Sequence, residues 1–322
     1  MRVMVTGGTG FLGTHVVAEL ENRGHIVDAL PTPSENSGYD LTNMCDVVAA
    51  FSLPIPPDAV IHLAAKCGGI GANMRRPGEF FRDNILMGVN TIDVAKTCGI
   101  RKFVCVGTIC AYPEHTPVPF KETDLWKGYP EPTNGAYGIA KKALMVMLQS
   151  YRQQYGFNGI YLLPVNLYGP GDHFSLEDSH VIPAMIRKFD TAKDEGRPTV
   201  SLWGTGSASR EFLYVKDAAK GIVDALERYD GPEPVNLGNG HEISIRKLAE
   251  KIQDTVGYNG IIEWDISKPD GQPRRCLDTS RAKELFGFEA KTPFLLGLIE
   301  TYEWWLANKA VILAQENMSH KE

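Results

Sequence analysis

Tyr137 and Lys141 stand four residues apart in the sequence. In a helix, this spacing puts both side chains on one face, where an ammonium group can stabilise a phenolate. An unperturbed tyrosine loses its proton at about pH 10, so acid–base chemistry near neutral pH requires a neighbouring cation. Such a pair can exchange a proton with a carbinol oxygen while a nicotinamide transfers hydride at the same carbon. The spacing alone also fits an ordinary amphipathic helix, so the other motifs must decide its function.

A glycine-rich turn occupies positions 7–13 (GGTGFLG), near the start of the chain. It follows a strand-like run at 2–6 and precedes a pattern that predicts a helix. Gly7, Gly10 and Gly13 would make the turn, admit a pyrophosphate and let the helix pack closely on the strand. The N–H groups at the start of that helix would face the phosphate charge. This segment therefore predicts a dinucleotide site.

The residues themselves leave the choice between NAD and NADP open. Pro31 follows the second predicted strand, where an acidic residue would hold a ribose 2′-hydroxyl and a basic one a 2′-phosphate. Thr9, Thr32 and Ser34 offer only neutral hydrogen bonds. Asp40 either accepts a hydrogen bond from an adenine amine or caps the helix that follows it.

Short apolar runs alternate with helical patterns in the first half of the chain, which is typical of βαβ units and a parallel sheet. The predicted strands are 2–6, 26–30, 59–63, 102–106 and 159–164. The predicted helices are 12–22, 46–51, 80–98 and 137–154, with two more at 217–228 and 245–256. Near the end, an apolar stripe at helical spacing predicts core contacts for Leu295, Leu298, Ile299, Tyr302, Trp305 and Leu306.

The composition is that of an ordinary globular protein, with 322 residues, of which 43% are hydrophobic and 22% charged. A net charge of -6 argues against a nucleic-acid partner, and no apolar run is long enough to predict a membrane span. Met1 leads directly into a strand, so we expect no signal peptide. The cysteines show no metal-ligand spacing, which predicts reduced thiols in the cytoplasm, five of them packing residues and no metal site; they are Cys45, Cys67, Cys98, Cys105, Cys110 and Cys276.

Taken together, these motifs resemble the extended short-chain dehydrogenase/reductase family, which comprises nucleotide-sugar epimerases, dehydratases and reductases. The resemblance covers most of the chain and rests on GGTGFLG at 7–13, HLAA at 62–65, GTICAYP at 107–113, the Tyr137–Lys141 pair and PVNLYGP at 164–170. It implies an α/β fold, a doubly wound parallel sheet (Rossmann) with a smaller C-terminal α+β substrate domain. The dinucleotide-binding domain would comprise 1–170 plus about 212–240, and the nucleotide-sugar domain 171–211 plus 241–316, followed by a tail at 317–322.

Within that family, the chain is similar to the GDP-L-fucose synthases, which act on GDP-4-keto-6-deoxy-mannose as 3,5-epimerases and 4-reductases. The similarity extends over some two hundred residues, in AAKCGGI at 64–70, EPTN at 131–134, NLYGP at 166–170, SHVIP at 179–183, WGTG at 203–206, REFL at 210–213, KPDG at 268–271 and Arg274-Arg275. An ordered series of this kind is far more specific than any one motif.

The resemblance implies roles for five side chains. Thr108 would donate a hydrogen bond to the C4 oxygen of the substrate, and Tyr137 would protonate that oxygen. Lys141 would bind the nicotinamide ribose and lower the pKa of Tyr137. Cys110 would act as the base and His180 as the acid that invert C3 and C5, whose hydrogens a 4-ketone acidifies. Cysteine and histidine have reference pKa values of about 8.5 and 6.5, which suits proton transfer near neutrality.

The resemblance also implies NADP(H) in preference to NAD(H), and a homodimer. The implied cofactor contacts are Gly7, Thr9, Gly10, Phe11, Leu12, Gly13, Asp40, Leu41, Leu63, Ala64, Ala65, Tyr137, Lys141, Pro164, Asn166, Leu167 and His180. The implied contacts of the GDP-sugar are Asn166, Lys188, Trp203, Arg210, Asp270 and Arg275. Arg210 and Arg275 would bind the diphosphate, although each charge also fits a solvated surface group.

Two alternatives stay open. The first is a redox-neutral GDP-mannose 3,5-epimerase that uses NAD, against which His180 argues because that family tends to use a lysine there. The second is a non-catalytic nucleotide-binding sensor on the same fold, which would have less need of the Tyr137–Lys141 pair that this chain retains. A 4,6-dehydratase would carry an acidic pair after Thr108, where this chain has Ile109 and Cys110.

Overall fold

A computed structural model describes residues 1–31, 38–176, 178–268 and 270–319. Thr32 and Ser34, which the sequence offers as neutral hydrogen-bonding partners for a ribose, lie outside this described part. Within these ranges, no helix has both the length and the apolar character that a membrane crossing requires.

The central sheet is parallel throughout and has the strand order β2-β1-β3-β4-β5-β9. The strands of the described residues are β1 (Arg2–Thr6), β2 (Ile26–Leu30), β3 (Ala59–His62), β4 (Lys102–Val106), β5 (Gly159–Pro164), β6 (Asn166–Tyr168), β7 (Thr199–Trp203), β8 (Ser209–Tyr214), β9 (Val235–Leu237), β10 (Glu242–Ser244), β11 (Ile261–Asp265) and β12 (Arg274–Arg275). The predicted doubly wound sheet and its five predicted strands are confirmed, with β3 ending one residue early.

The predicted helices are confirmed as well, and most begin slightly before the predicted start. Helix α4 begins at Pro77 because proline fits the first turn, whereas the apolar pattern marks only the buried face. The helices are α1 (Phe11–Asn22), α2 (Met44–Phe51), α3 (Ile70–Arg75), α4 (Pro77–Thr97), α5 (Gly135–Tyr155), α6 (Val181–Asp194), α7 (Val215–Arg228), α8 (Ile245–Val256), α9 (Ser280–Phe286) and α10 (Phe294–Ser319).

The strands at the centre of the sheet are buried on both faces. Every residue of β3 and β5 is buried, as expected for parallel strands that helices cover. The connecting helices pack in the pairs α1–α7 and α4–α5. Strand order reverses between β1 and β3, so a crevice is expected at the carboxyl ends of these strands.

A second core lies among α6, α8, α10 and the short strands after β5. Strand β8 pairs with β6, β10 and β12, and β7 pairs with β11. Phe174 stacks on Trp305 with ring centroids 4.7 Å apart. The buried Asp190 on α6 accepts hydrogen bonds from Tyr302 and Trp305 on α10, which ties the two helices together. The domain boundaries given above stay a prediction.

The apolar stripe of α10 is only partly core. Leu298, Tyr302 and Trp305 are buried, which confirms their prediction. The prediction was wrong for Leu295, Ile299 and Leu306, which are 50%, 38% and 44% exposed. Ile299 and Leu306 each follow a buried residue and so point about 100° away around the helix, while Leu295 lies in the first turn. The predicted tail is helical as far as Ser319, and 320–322 lie outside the described residues.

Candidate active site

A cavity of about 680 Å³ lies at the carboxyl ends of β1, β3, β4 and β5. This volume is within the range of about 300 to 1,000 Å³ that small-molecule sites occupy. All of the predicted catalytic side chains line it, as do the predicted cofactor contacts with the exception of Thr9. The sheet therefore brings residues from both halves of the sequence to one edge, where they line the same cavity.

The glycine turn forms one end of this cavity. Gly7 has a φ of +69°, and a Cβ placed on it would come within 2.9 Å of the backbone nitrogen of Ala64. A Cβ on Gly13 would overlap the carbonyl oxygen of Gly7. The turn thus has no room for side chains between β1 and α1, and the start of α1 faces the cavity through Phe11 and Leu12. These residues fit the pyrophosphate of a dinucleotide.

Gly13→Ala is expected to lower the free energy of unfolding by about 1 to 3 kcal/mol, because the new methyl group overlaps a carbonyl oxygen that the sheet holds in place. NADPH binding, measured by fluorescence, should weaken by about tenfold or more. Gly78→Ala is the matched control, since no atom lies within 4 Å of its added Cβ. Equal melting temperatures and equal NADPH affinities in the two variants would contradict the close packing of the turn.

Asp40 lines the cavity at the end predicted to hold the adenine. Its Oδ1 accepts hydrogen bonds from the backbone nitrogen and the hydroxyl of Thr42, at 2.9 and 2.7 Å. The alternative that it caps the next helix is wrong, because Asn43 caps α2 by accepting from the nitrogen of Cys45 at 2.9 Å. Asp40 is exposed, so it stays available to an adenine amine.

A tight turn after β4 presents Thr108 and Cys110. The Thr108 hydroxyl accepts a hydrogen bond from the Cys110 nitrogen at 3.1 Å and so starts the 3-10 helix Ile109–Ala111. Gly138 on α5 lies directly against this turn, because a Cβ there would overlap the carbonyl oxygen of Cys110. The glycine between Tyr137 and Lys141 thus brings the predicted tyrosine and cysteine to one wall.

Burial raises the pKa of Tyr137 well above its ordinary value, and the neighbouring Cys67 adds to this effect. The net direction is opposite to the lowering predicted from Lys141, because desolvation of the phenol dominates. Lys141 itself is buried, with 2% of its surface exposed. Its charge partly lowers the pKa of Cys67, which desolvation by the surrounding protein raises even though the thiol is exposed to the cavity. The same charge lowers the pKa of the fully buried His62.

His180 caps the N-terminal end of α6 and is exposed to the cavity. The surrounding protein nevertheless removes part of its hydration, and this desolvation lowers the pKa of the imidazole. The charge of His173 lowers it further. Since histidine ordinarily has a pKa of about 6.5, the ring is mainly neutral at pH 7.

Two arginines from the second core lie beside Cys110. Arg275 is buried, and its Nη1 lies 3.7 Å from Cys110 Sγ. The same side chain donates to Gln272 at 2.6 Å and faces Glu131 at 3.7 Å. Burial and the charge of Arg275 lower the pKa of Arg210 to about 10, which still leaves Arg210 charged at neutral pH. This concentration of positive charge suits a diphosphate.

The other predicted sugar-nucleotide contacts divide into two groups. Asn166 lines the cavity, whereas Lys188, Trp203, Arg210, Asp270 and Arg275 do not. Asp270 accepts from the Thr205 nitrogen at 2.7 Å, and its carbonyl oxygen accepts from Arg210 at 3.3 Å. Lys188 donates to the carbonyl of Ser201 at 3.1 Å, and Trp203 is 56% exposed. These residues extend from the Cys110 end of the cavity into the second core.

Sequence reasoning missed Cys67. Its sulfur lies 3.3 Å from Tyr137 Oη. The residue stands in the segment 64–70 that carries the family resemblance, but nothing in that segment marked it as a site residue. The prediction that five cysteines are packing residues was wrong for Cys45, Cys67 and Cys98, which are exposed. Helix ends and cavity walls place thiols at surfaces, and spacing along the chain does not reveal this.

The sequence profile of the NAD dependent epimerase/dehydratase family matches residues 3–238. "Probable GDP-L-fucose synthase 1" of Oryza sativa subsp. japonica is 42% identical, over 95% of this chain and 92% of that protein. A GDP-6-OMe-4-keto-L-xylo-heptose reductase from C. jejuni has a TM-score of 0.88 at 28% identity, covering 95% of this chain and 98% of the other. A GDP-L-fucose synthetase from Naegleria fowleri bound to NADP has a TM-score of 0.86 at 28% identity, covering 96% of this chain and 95% of the other.

The match to residues 3–238, together with a relative that is 42% identical over 95% of this chain, determines the family. The chain belongs to the NAD dependent epimerase/dehydratase family, in the group of extended short-chain dehydrogenases/reductases that includes the GDP-L-fucose synthases.

Proposed function

We propose that this enzyme catalyses the NADP(H)-dependent 3,5-epimerisation and 4-reduction of GDP-4-keto-6-deoxy-mannose to GDP-L-fucose, or the same chemistry on a related GDP-keto-deoxy sugar. One observation carries the proposal: Thr108, Cys110, Tyr137, Lys141 and His180 line one cavity that begins at the glycine turn. The names of the rice relative and of the C. jejuni reductase, one a fucose synthase and the other a keto-heptose reductase, support this substrate class.

Epimerisation requires a base and an acid at the sugar. Cys110 would remove the protons at C3 and C5, which the 4-ketone acidifies, and His180 would return protons to the opposite faces. The guanidinium of Arg275 lies 3.7 Å from the Cys110 sulfur and would stabilise the thiolate that accepts the proton. The diphosphate of a bound substrate would favour the imidazolium form of His180, which is otherwise mainly neutral.

Reduction requires a proton at the C4 oxygen. NADPH, when bound, supplies the hydride to C4. Tyr137 would donate its proton to the developing alkoxide, and its raised pKa keeps the phenol protonated at neutral pH, as a proton donor must be. Thr108 would orient the same oxygen through its hydroxyl, and the Lys141 ammonium would hold the nicotinamide ribose.

The cofactor would occupy the cavity from the glycine turn to α5. Gly7, Gly10 and Gly13 would hold the pyrophosphate, and Asp40 with Leu41 would meet the adenine. The preference for NADP(H) over NAD(H) rests on the resemblance and on the NADP-bound Naegleria fowleri structure, since no basic residue stands at the expected positions.

The GDP moiety would extend past Cys110 into the second core. Arg210 and Arg275 would bind the diphosphate, because the two guanidinium groups lie close enough for the charge of Arg275 to act on Arg210. Lys188, Trp203 and Asp270 would line the path of the nucleotide beyond them. A homodimer and a cytoplasmic location stay predictions from the family resemblance.

The test is a coupled assay that supplies GDP-4-keto-6-deoxy-mannose with either NADPH or NADH and determines the product stereochemistry by NMR. We expect one NADPH to be consumed for each GDP-L-fucose formed. Epimerised product without net consumption of NADPH would favour the redox-neutral epimerase. Tight NADPH binding without turnover of any GDP-keto sugar would contradict the proposal in favour of the sensor.

A further inference from the structure

Cys67 contacts the phenol that the proposed reduction uses. Its sulfur lies 3.3 Å from Tyr137 Oη, within hydrogen-bonding distance for sulfur. The two residues come from different elements, since Cys67 lies between β3 and α3 and Tyr137 lies in the first turns of α5. Both line the cavity, so this contact stands where a substrate oxygen must approach the phenol.

The surrounding packing holds the sulfur and the phenol in place. Phe80 on α4 meets the Tyr137 ring edge-on, with centroids 6.4 Å apart. Beyond Cys67, the nitrogen of Gly69 donates to the carbonyl oxygen of Asp178 at 2.8 Å. A Cβ on Gly69 would come within 2.6 Å of the Ser179 carbonyl oxygen, so the Cys67 loop is anchored directly to the segment that leads to His180.

The order of ionisation in this pair favours a protonated phenol. A free thiol ionises at about pH 8.5 and a free phenol at about pH 10, and desolvation by the surrounding protein raises the pKa of both groups at the cavity wall. We therefore expect the first proton that the pair loses to leave the sulfur, and we infer that the phenol is the donor in a contact where either atom can donate. Sulfur is a weak acceptor, so a ketone oxygen can replace it as the partner of the phenol.

We propose that Cys67 is a positioning residue for the reduction: its sulfur holds the Tyr137 hydroxyl at the cavity wall until the substrate oxygen replaces the sulfur. This inference rests on the proposed function, because it assigns Cys67 a role only in the step that uses the Tyr137 proton. It predicts no role for Cys67 in proton exchange at C3 and C5.

Other groups that face Tyr137 are unchanged in a Cys67 variant. Cys110 on the turn after β4 and Tyr161 on β5 raise the pKa of the phenol in the same direction as Cys67. Lys141, one turn further along α5, lies close enough to lower the pKa of Cys67. A substitution at Cys67 therefore isolates the contribution of one sulfur.

The direct test is an NMR titration of protein labelled with ¹³Cζ-tyrosine, with Tyr137→Phe used to assign the Tyr137 signal. In Cys67→Ala, we expect the ionisation midpoint of Tyr137 to fall by about one pH unit. In Cys67→Ser, the midpoint should also fall, because a hydroxyl does not ionise before the phenol. Cys98→Ala, which alters an exposed thiol at the end of α4, should leave the midpoint unchanged. Coincident midpoints in wild type and Cys67→Ala would overturn the assignment.

The kinetic test compares pH profiles of NADPH oxidation by the wild type and Cys67→Ala. We expect kcat near pH 7 to fall by about three- to tenfold in the variant, because the phenol is no longer held in place, with an alkaline limb that moves to lower pH by about one unit and an unchanged KM. Deuterium exchange at C3 and C5 should keep its profile. A loss of kcat at every pH with a raised KM would identify a structural defect and overturn the inference. No turnover by the wild type would refute the proposed function itself, before any variant is compared.

Discussion

Tyr137→Phe is expected to lower the rate of ketone reduction by about 10²- to 10⁴-fold, the usual contribution of a general acid. The substitution removes the only atom of this side chain that can protonate the C4 oxygen and keeps the ring that packs against Phe80. Proton exchange at C3 and C5 should continue, because it needs only the ketone and the Cys110–His180 pair. NADPH oxidation measures the first rate, and deuterium incorporation from heavy water, followed by NMR, measures the second.

Tyr155→Phe is the matched control, since it removes the hydroxyl of an exposed tyrosine at the far end of the same helix. It should leave both rates unchanged. If Tyr137→Phe instead reduced exchange and reduction equally and raised KM, a binding defect would be the cause and the assigned proton transfer would be refuted.

Cys110→Ala is expected to reduce deuterium incorporation at C3 and C5 by about 10²-fold or more, because the substitution removes the proposed base. The affinity for NADPH should not change, since Cys110 lies beside Arg275 and is not one of the predicted cofactor contacts. Mass spectrometry of recovered substrate after incubation in heavy water measures the exchange.

Cys45→Ala provides the control, because Cys45 is an exposed thiol on α2. Its exchange rate should equal that of the wild type. Undiminished exchange in Cys110→Ala would remove the assigned base, and the chain would then be explained better as a reductase without epimerase activity.

The parts of the site that neighbouring residues form could be predicted. The glycine turn follows β1 and starts α1, so its geometry depends on the backbone of a few consecutive residues. The Tyr137–Lys141 pair needs only the helical repeat. The strand pattern also predicts that Thr108 and Asn166 lie at the same edge of the sheet, because each follows a parallel strand and parallel strands end at the same side. These features accompany the family resemblance and explain why it pointed to the right fold.

Other features depend on how distant segments pack. The sulfur of Cys67 and the phenol of Tyr137 are 70 residues apart, and Arg275 reaches Cys110 across 165. No local spacing predicts either contact. The sign of the Tyr137 pKa shift also differs from the prediction, because desolvation by the surrounding protein outweighs a nearby ammonium.

Helical and strand periodicities act over short distances, so the sheet, the glycine turn and the residue types available for proton transfer can be read from the sequence. Which side chains touch, and which form of the phenol is favoured, depend on the folded structure. Contacts between distant segments depend on loop paths and packing, and desolvation depends on every atom that surrounds a group.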